Sequence, residues 1–320
     1  MIRTTIFTSV NKLYEMFVVP FVVTSLIHND DARVEVCLED AAEFESNNAD
    51  AIDILDRHFG ADRFLFRDIV AGIGIPSPNT VRFLETPQVN TEFTYIGDVD
   101  ILILEAISPI HIARMSDSGL PYSNVQRDGR EALSGLHFTR SDAYYPVEIP
   151  ADADLNLDEA LLYQLVTRRG LPLPPGGLGR PTHGYHLSPN RAPLPTAVDG
   201  YAPAGWGVES KARLEFYCAL RRHRAWREVR RHLDRRFHVL LGLLELALAS
   251  KHPSFESNQN GEVSALLDDV SLVRGVIANE SPFQNESEPD KRRFRQRWRW
   301  PGEVLSSRRS RLARDGRRRQ

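Results

Sequence analysis

The first half of the chain switches repeatedly between two hydrophobic periods, and that switching is what most limits the fold. RTTIFTSV (3–10), ARVEVCLED (32–40) and RFLFRDI (63–69) are short runs rich in β-branched and aromatic residues. Between them NKLYEMFVVPFVVTSLIHN (11–29), open to a kink at Pro20, and ADAIDILDRHF (49–59) read as helices. Strands joined through helices run parallel, because a tight hairpin cannot connect them. The pattern predicts an α/β fold, an open and mostly parallel sheet flanked by helices. Ligands of such sheets bind beyond the carboxyl ends of the strands. SPNTVRFLET (77–86) adds a helix with Ser77 as N-cap and Pro78 in its first turn. LSGLHF (133–138) reads as a further strand, and DADLNLDEALLYQLVTRRG (152–170) as a helix with an acidic first turn, ended by Gly170.

The remainder is organised differently. Residues 171–207 are rich in Pro and Gly and form a long loop region. Residues 209–250 form one or two long helices, arginine-dense at first and almost wholly apolar at the end. Residues 1–254 are therefore expected to be the folded domain, 255–289 an acidic polar linker and 290–320 a basic, disordered tail. The net charge of -3 conceals that tail, where thirteen Lys and Arg face three acids. The tail fits a solubilising end or a peripheral contact with anionic membrane, with Trp298 and Trp300 at headgroup depth. Nucleic acid is the least favoured partner. Two cysteines, Cys37 and Cys218, give neither a disulfide framework nor zinc spacing, which points to a reducing cytoplasmic compartment. MFVVPFVVTSLI (16–27) is too short to span a membrane and interrupted by Pro20, so it is expected to be a buried helix.

One stretch resists a purely structural reading. TYIGDVDILIL (94–104) is a buried strand by composition, yet Asp98 and Asp100 interrupt it. Strand alternation would put both carboxylates on one side. Two like charges there need a divalent cation, basic side chains, or a turn that lifts them into water. An Asp-x-Asp at a strand end suits Mg²⁺ or Mn²⁺, which take carboxylate oxygens and bridge to phosphates. The same tripeptide also occurs in phosphatases of the haloacid-dehalogenase type, but there it lies near the start of the domain and continues with Gly or Thr, not with Ile101 and Leu102.

Taken in order, IFTSVNKLYEMFVVPFVVTSLIHNDDARVEVCLED (6–40), PNTVRFLE (78–85), YIGDVDILIL (95–104) and SGLHF (134–138) resemble bacterial glycosyltransferases with the A-type fold, and more distantly the glycogenin-like group. The resemblance covers roughly residues 1 to 190. It implies a hexosyltransferase using a nucleoside-diphosphate sugar, with Mn²⁺ or Mg²⁺ as cofactor and a glycan or lipid-linked glycan as acceptor, in polysaccharide biosynthesis. By position it implies that Thr8, Ser9 and Asn11 meet the base, that Glu39 or Asp40 accepts bonds from base or ribose, and that Asn79 and Arg82 face the donor. Arg82 alternatively pairs with Glu85, one helical turn on. Asp98 and Asp100 would hold the metal, with Asp98 also at the donor. A third ligand is implied in RPTHGYHLSPNR (180–191), from His183 or His186, while the lysine that follows the histidine in the glycogenin-like pattern is missing and Arg191 is its stand-in. Asp158 and Glu159 would touch the acceptor or act as general base; an ordinary acidic helix start explains them too. Asn124 and Arg127 lie in a loop near the site, and His137 is expected to be a core histidine. The competing function classes are a non-catalytic binding protein of the same fold, recruited by its tail, and an Asp-x-Asp phosphatase.

Overall fold

The computed structural model describes residues 1–70, 78–127, 129–150, 153, 155–188, 194–196, 200–202 and 206–255. Ser77, Arg191, the linker beyond Phe255 and the basic tail lie outside them.

The expected α/β sheet forms. Six strands lie in the order β3 (Phe64–Asp68), β2 (Ala32–Leu38), β1 (Thr4–Ser9), β4 (Phe93–Ile96), β7 (His137–Arg140) and β6 (Tyr122–Ser123). The β3–β2, β2–β1 and β1–β4 pairs are parallel, whereas β7 runs antiparallel to both β4 and β6. The central strands are buried almost throughout, β1 along its whole length and β2 at all but Arg33, as expected of a sheet covered on both faces. The Phe7, Phe83, Ile96, Leu133 and Leu162 side chains belong to one core cluster, in which α4 (Pro78–Leu84) and α7 (Asp158–Arg168) meet the sheet. LSGLHF yields strand only from His137, because residues 133–136 are held by other bonds: Leu133 N–H donates to the Glu159 carbonyl at 3.0 Å and Ser134 N–H to that of Val125 at 2.9 Å.

The 16–27 stretch is the buried helix its composition predicts, α1 (Val18–His28), with Val18 to Leu26 inaccessible. It is continuous through Pro20. A short 3₁₀ turn (Glu15–Phe17) precedes it, so Pro20 falls in the first α turn, where a missing N–H costs nothing. The helix α2 (Ala41–Asn47) starts on Asp40 and runs into α3 (Ala49–Phe59), which buries Ala51, Ile54 and Leu55. α5 (Ser108–Ser118) and the single turn α6 (Ser141–Tyr144) follow later in the chain. The 209–250 region divides into three helices: α8 (Lys211–Arg222), α9 (Arg224–Val229) and α10 (Arg235–Lys251).

The chain separates into two compact units, Met1–His186 with Ala212–Asp234, and Leu187–Lys211 with Arg235–Gln320. The second contains the β9 (Leu194–Thr196) and β10 (Gly200–Ala202) hairpin and the apolar α10. Within it Trp206 Nε1 donates to the Ser188 carbonyl at 3.0 Å, and His252 Nε2 lies 2.7 Å from the Val208 carbonyl oxygen. Among the described residues no helix is long and apolar enough to cross a membrane.

Candidate metal and donor site

β1, β2 and β4 point the same way, so the loops that leave them share one edge of the sheet. The chain order departs from β1 toward β2 on one side and β4 on the other. The crevice at such a reversal is where open α/β sheets hold ligands. Thr8 and Asn11 end β1 or follow it, Glu39 and Asp40 follow β2, and Asp98 and Asp100 follow β4.

The aspartates do not sit within one strand. β4 stops at Ile96, where Gly97 N–H donates to the Phe7 carbonyl at 3.1 Å and Thr8 Oγ1–H to the Gly97 carbonyl at 2.9 Å. After a turn the chain resumes as β5 (Ile101–Ile103), which leaves the large sheet and pairs antiparallel with β8 (Gly184–His186). Asp98 and Asp100 therefore occupy the seam between two sheets. The register Ile101↔His186 sets His186 beside them. Gly184 is required there: a Cβ would lie 1.8 Å from the Leu102 carbonyl oxygen.

In this seam one donor atom from each of Asp98, Asp100 and His186 lies within 4.8 Å of the others. His186 Nε2 is 3.0 Å from Asp100 Oδ1 and 3.8 Å from Asp98 Oδ2. Arginines supply the rest of the compensation. Arg82, buried on α4, donates through Nη1 to Asp98 Oδ1 and at 3.1 Å to the Gly97 carbonyl, and through Nη2 at 3.1 Å to Asp158 Oδ2. Arg180 Nη2 lies 3.9 Å from Asp98 Oδ2. Burial pushes the Asp98 carboxyl upward, but Arg82, His186 and Arg180 outweigh it and hold the group well below the usual carboxylate range. The turn and the basic side chains thus act together, and the carboxylates stay half-buried or buried rather than rising into water. The donor set suits a hard divalent ion: Arg82 takes one oxygen of Asp98 and leaves the other on the side of Asp100 and His186, and two carboxylates with an imidazole match Mn²⁺ or Mg²⁺.

Arg82 does not pair with Glu85. Glu85 is engaged by Arg67 Nη1 at 3.0 Å and by Val70 N–H at 2.8 Å, in a buried network with Glu35. That frees Arg82 for the seam, and Gly135 makes the room: a Cβ there would lie 2.9 Å from Arg82 Nη2. Beside it Arg127 grips Glu159 with Nε and Nη2, and Gly135 N–H donates to Glu159 Oε1 at 3.3 Å. The two acids that open α7 are therefore each held by an arginine. Arg127 also lines a cavity of about 370 Å³ with Gln126, Gly129, Arg130, Glu131 and Gly176.

Other residues singled out in the sequence have different surroundings. His183 is not in the cluster with the aspartates. It sits in the left-handed backbone region at φ 55°, fully buried, with Nε2 2.9 Å from His111 Nε2 and Nδ1 3.5 Å from Glu105 Oε1. Asn124 is buried and donates to the Ser134 carbonyl at 3.0 Å, with His137 Nδ1 at 3.1 Å; His137 is the core histidine its sequence context predicts. Asp40 is exposed and caps α2 by accepting from Glu43 N–H at 2.8 Å. Asn11 Oδ1 accepts from Tyr14 N–H at 3.2 Å, Ser9 is buried, and Glu39 and Asn79 are exposed. Arg180 and Gly135 are the residues missed: both stand in stretches read for their neighbours, and the signal for Arg180 was its place six residues before His186, on the same histidine-bearing segment.

No protein-family model matches the chain, and no curated protein matches it. Among solved structures, the crystal structure of the apo-form glycosyltransferase GlyE in Streptococcus pneumoniae TIGR4 is similar at 13% sequence identity and a TM-score of 0.34. The match covers 53% of this chain and 44% of that one, so it spans less than half of the GlyE structure's length.

Proposed function

We propose that the protein is a metal-dependent glycosyltransferase that moves a sugar from a nucleoside-diphosphate donor to a glycan or lipid-linked glycan acceptor. The observation that carries this reading is the Asp98, Asp100 and His186 cluster at the switch point of a parallel sheet, braced by two arginines. A cation there supplies positive charge to a departing diphosphate. Arg82 fixes the orientation of Asp98 and adds a guanidinium to the same region, and Thr8 fixes the turn that presents both aspartates. Glu39, Asp40 and Asn79, all exposed, are assigned to the base, ribose and donor. Asp158 and Glu159 are assigned to the acceptor side, beside the cavity at Arg127. Arg82 and Arg127 fix the orientation of these two carboxylates, which suits them to position an acceptor hydroxyl.

The phosphatase reading needs Asp98 as a nucleophile, and its Oδ1 is committed to Arg82. A binding protein of the same fold is separated by catalysis: metal-dependent hydrolysis of a nucleotide sugar is expected here and absent there. The direct test is calorimetric titration of uridine and guanosine diphosphates with and without Mn²⁺, on wild type and on the Asp98→Ala, Asp100→Ala double variant. Mn²⁺-dependent binding that the double variant loses supports the proposal. Equal binding by both proteins, or none by either, refutes it.

A further inference from the structure

Arg180 braces Asp98, and its guanidinium also reaches the third residue of the cluster. Nη2 lies 3.9 Å from Asp98 Oδ2 and 3.5 Å from His186 Nδ1. Its Nε is buried and has no hydrogen-bond partner among the described residues. A guanidinium only donates. Arg180 therefore brings donors to the Nδ1 side of the imidazole, while Nε2 lies 3.0 Å from Asp100 Oδ1. Arg180 thus reaches Asp98 and His186, two of the three residues of the cluster, at once. Charge argues the same way. Asp98, Asp100 and Asp158 face Arg82, Arg180 and the His186 imidazole, so the carboxylates are already largely compensated. A divalent ion entering alone would leave an excess of positive charge inside a largely buried region, whereas an ion entering with a diphosphate would not.

We propose that Arg180 is a positioning residue that stands in for the cation. It holds Asp98 and His186 until an anionic ligand draws its guanidinium away, so that cation and diphosphate bind as a pair and the cation alone binds weakly. This rests on the cation site proposed above. The unpartnered Nε gives Arg180 the spare donor with which to follow a phosphate oxygen.

The test measures free Mn²⁺ by electron paramagnetic resonance during titration of the full chain, alone and with saturating uridine or guanosine diphosphate. The proteins are wild type, Arg180→Gln, Arg180→Lys and Asp100→Asn. Wild type should bind Mn²⁺ about tenfold or more tighter with a diphosphate than without. Arg180→Gln should bind Mn²⁺ alone about tenfold tighter than wild type and lose most of the diphosphate effect, while Arg180→Lys, which keeps the charge, should follow wild type. A structural role for Arg180 predicts the reverse, weaker Mn²⁺ binding in Arg180→Gln, and that result overturns the proposal. So does a Gln variant indistinguishable from wild type, or a Lys variant that behaves like Gln. In those cases loss of binding in Asp100→Asn leaves the cation site standing. Absence of Mn²⁺ binding by wild type under both conditions removes the cation site and this inference together.

Discussion

Arg82→Met is the substitution that probes the seam most directly. Arg82 is buried and joins two acids and a carbonyl from two separate segments: Gly97 and Asp98 in the turn after β4, and Asp158 at the start of α7. Removing one partner of a buried pair costs about 3–5 kcal/mol, chiefly because the other charge is stranded. The Asp98 side chain keeps 20% of its exposure and Arg180 remains 3.9 Å away, so the lower end applies, about 3 kcal/mol. The Asp158 carboxylate is 30% exposed, and its pair adds at most about 1 kcal/mol. The expected loss is thus about 3–4 kcal/mol at pH 7, read as a fall in the urea midpoint at unchanged slope. The double variant Arg82→Met, Asp98→Asn no longer strands the buried Asp98 charge and should recover half or more of the loss. The pH dependence has a defined sign. Asp98 has a folded-state pKa below its unfolded value, so its contribution is complete above about pH 4 and disappears as the pH falls below that. Wild type should therefore lose stability in that acid range more steeply than Arg82→Met. A single variant within about 0.5 kcal/mol of wild type, or a double variant no more stable than the single, would refute the account of Arg82 as the clamp of the seam.

Gly184→Ala brings a Cβ into the Leu102 carbonyl and should cost about 3 kcal/mol or more, with Mn²⁺ binding lost because β8 carries His186; a variant with wild-type melting and Mn²⁺ binding contradicts the β5–β8 register. Gly135→Ala meets only the end of the Arg82 side chain, so diphosphate binding should weaken about tenfold or more, with stability lowered by about 1–2 kcal/mol; calorimetry and urea unfolding read the two effects separately. His137 is buried without charge, its pKa lowered to about 3 by desolvation, so below pH 6.5 the unfolded chain takes up a proton that the native state refuses. Stability should fall with pH from 6.5 downward by up to about 1.4 kcal/mol per unit from this residue, and His137→Phe should remove that share of the slope in urea midpoints measured between pH 7 and 4.5.

The fold was legible wherever a segment's own period decided its structure. β1, β2, β3, α1 and α3 appear close to where the apolar pattern puts them, because each buries its residues against neighbours in the same crossover units. What was hidden is long-range. LSGLHF has strand composition, but whether it pairs parallel or antiparallel depends on β4, about forty residues earlier, and on backbone bonds to Val125 and Glu159 that no local pattern reveals. TYIGDVDILIL looks like one strand for the same reason: both halves are apolar, and only the departure of β5 toward β8 breaks it. The two aspartates mark that break, since a continuous central strand would have to bury both carboxylates on one face.

The site was legible in part, and its failures are physical rather than statistical. Asp98, Asp100 and His186 could be proposed as ligands because a hard cation demands oxygen with borderline nitrogen, and so few acids interrupt apolar strands in this chain. His183 and His186 were equivalent as letters, yet β8 begins only at Gly184, and His183 before it lies in the left-handed backbone region, so the two side chains have different surroundings. His186 reaches the aspartates, and His183 meets His111 on α5. Arginine placement was the least readable element. Arg82 reads as half of an i, i+3 pair with Glu85, and the pairing fails only because Arg67, fifteen residues earlier, already occupies that glutamate inside the core. A buried guanidinium displaced from its local partner must find another acid, and the acid it finds, Asp98, is the one the cluster needs to orient. The core network of Glu35, Arg67 and Glu85 thereby fixes the geometry of the seam at one remove: Arg67→Met should release Glu85 to compete for Arg82, and weaken diphosphate binding without touching any residue of the site. Unchanged diphosphate affinity in a folded Arg67→Met protein would show that Arg82 is held by the seam alone.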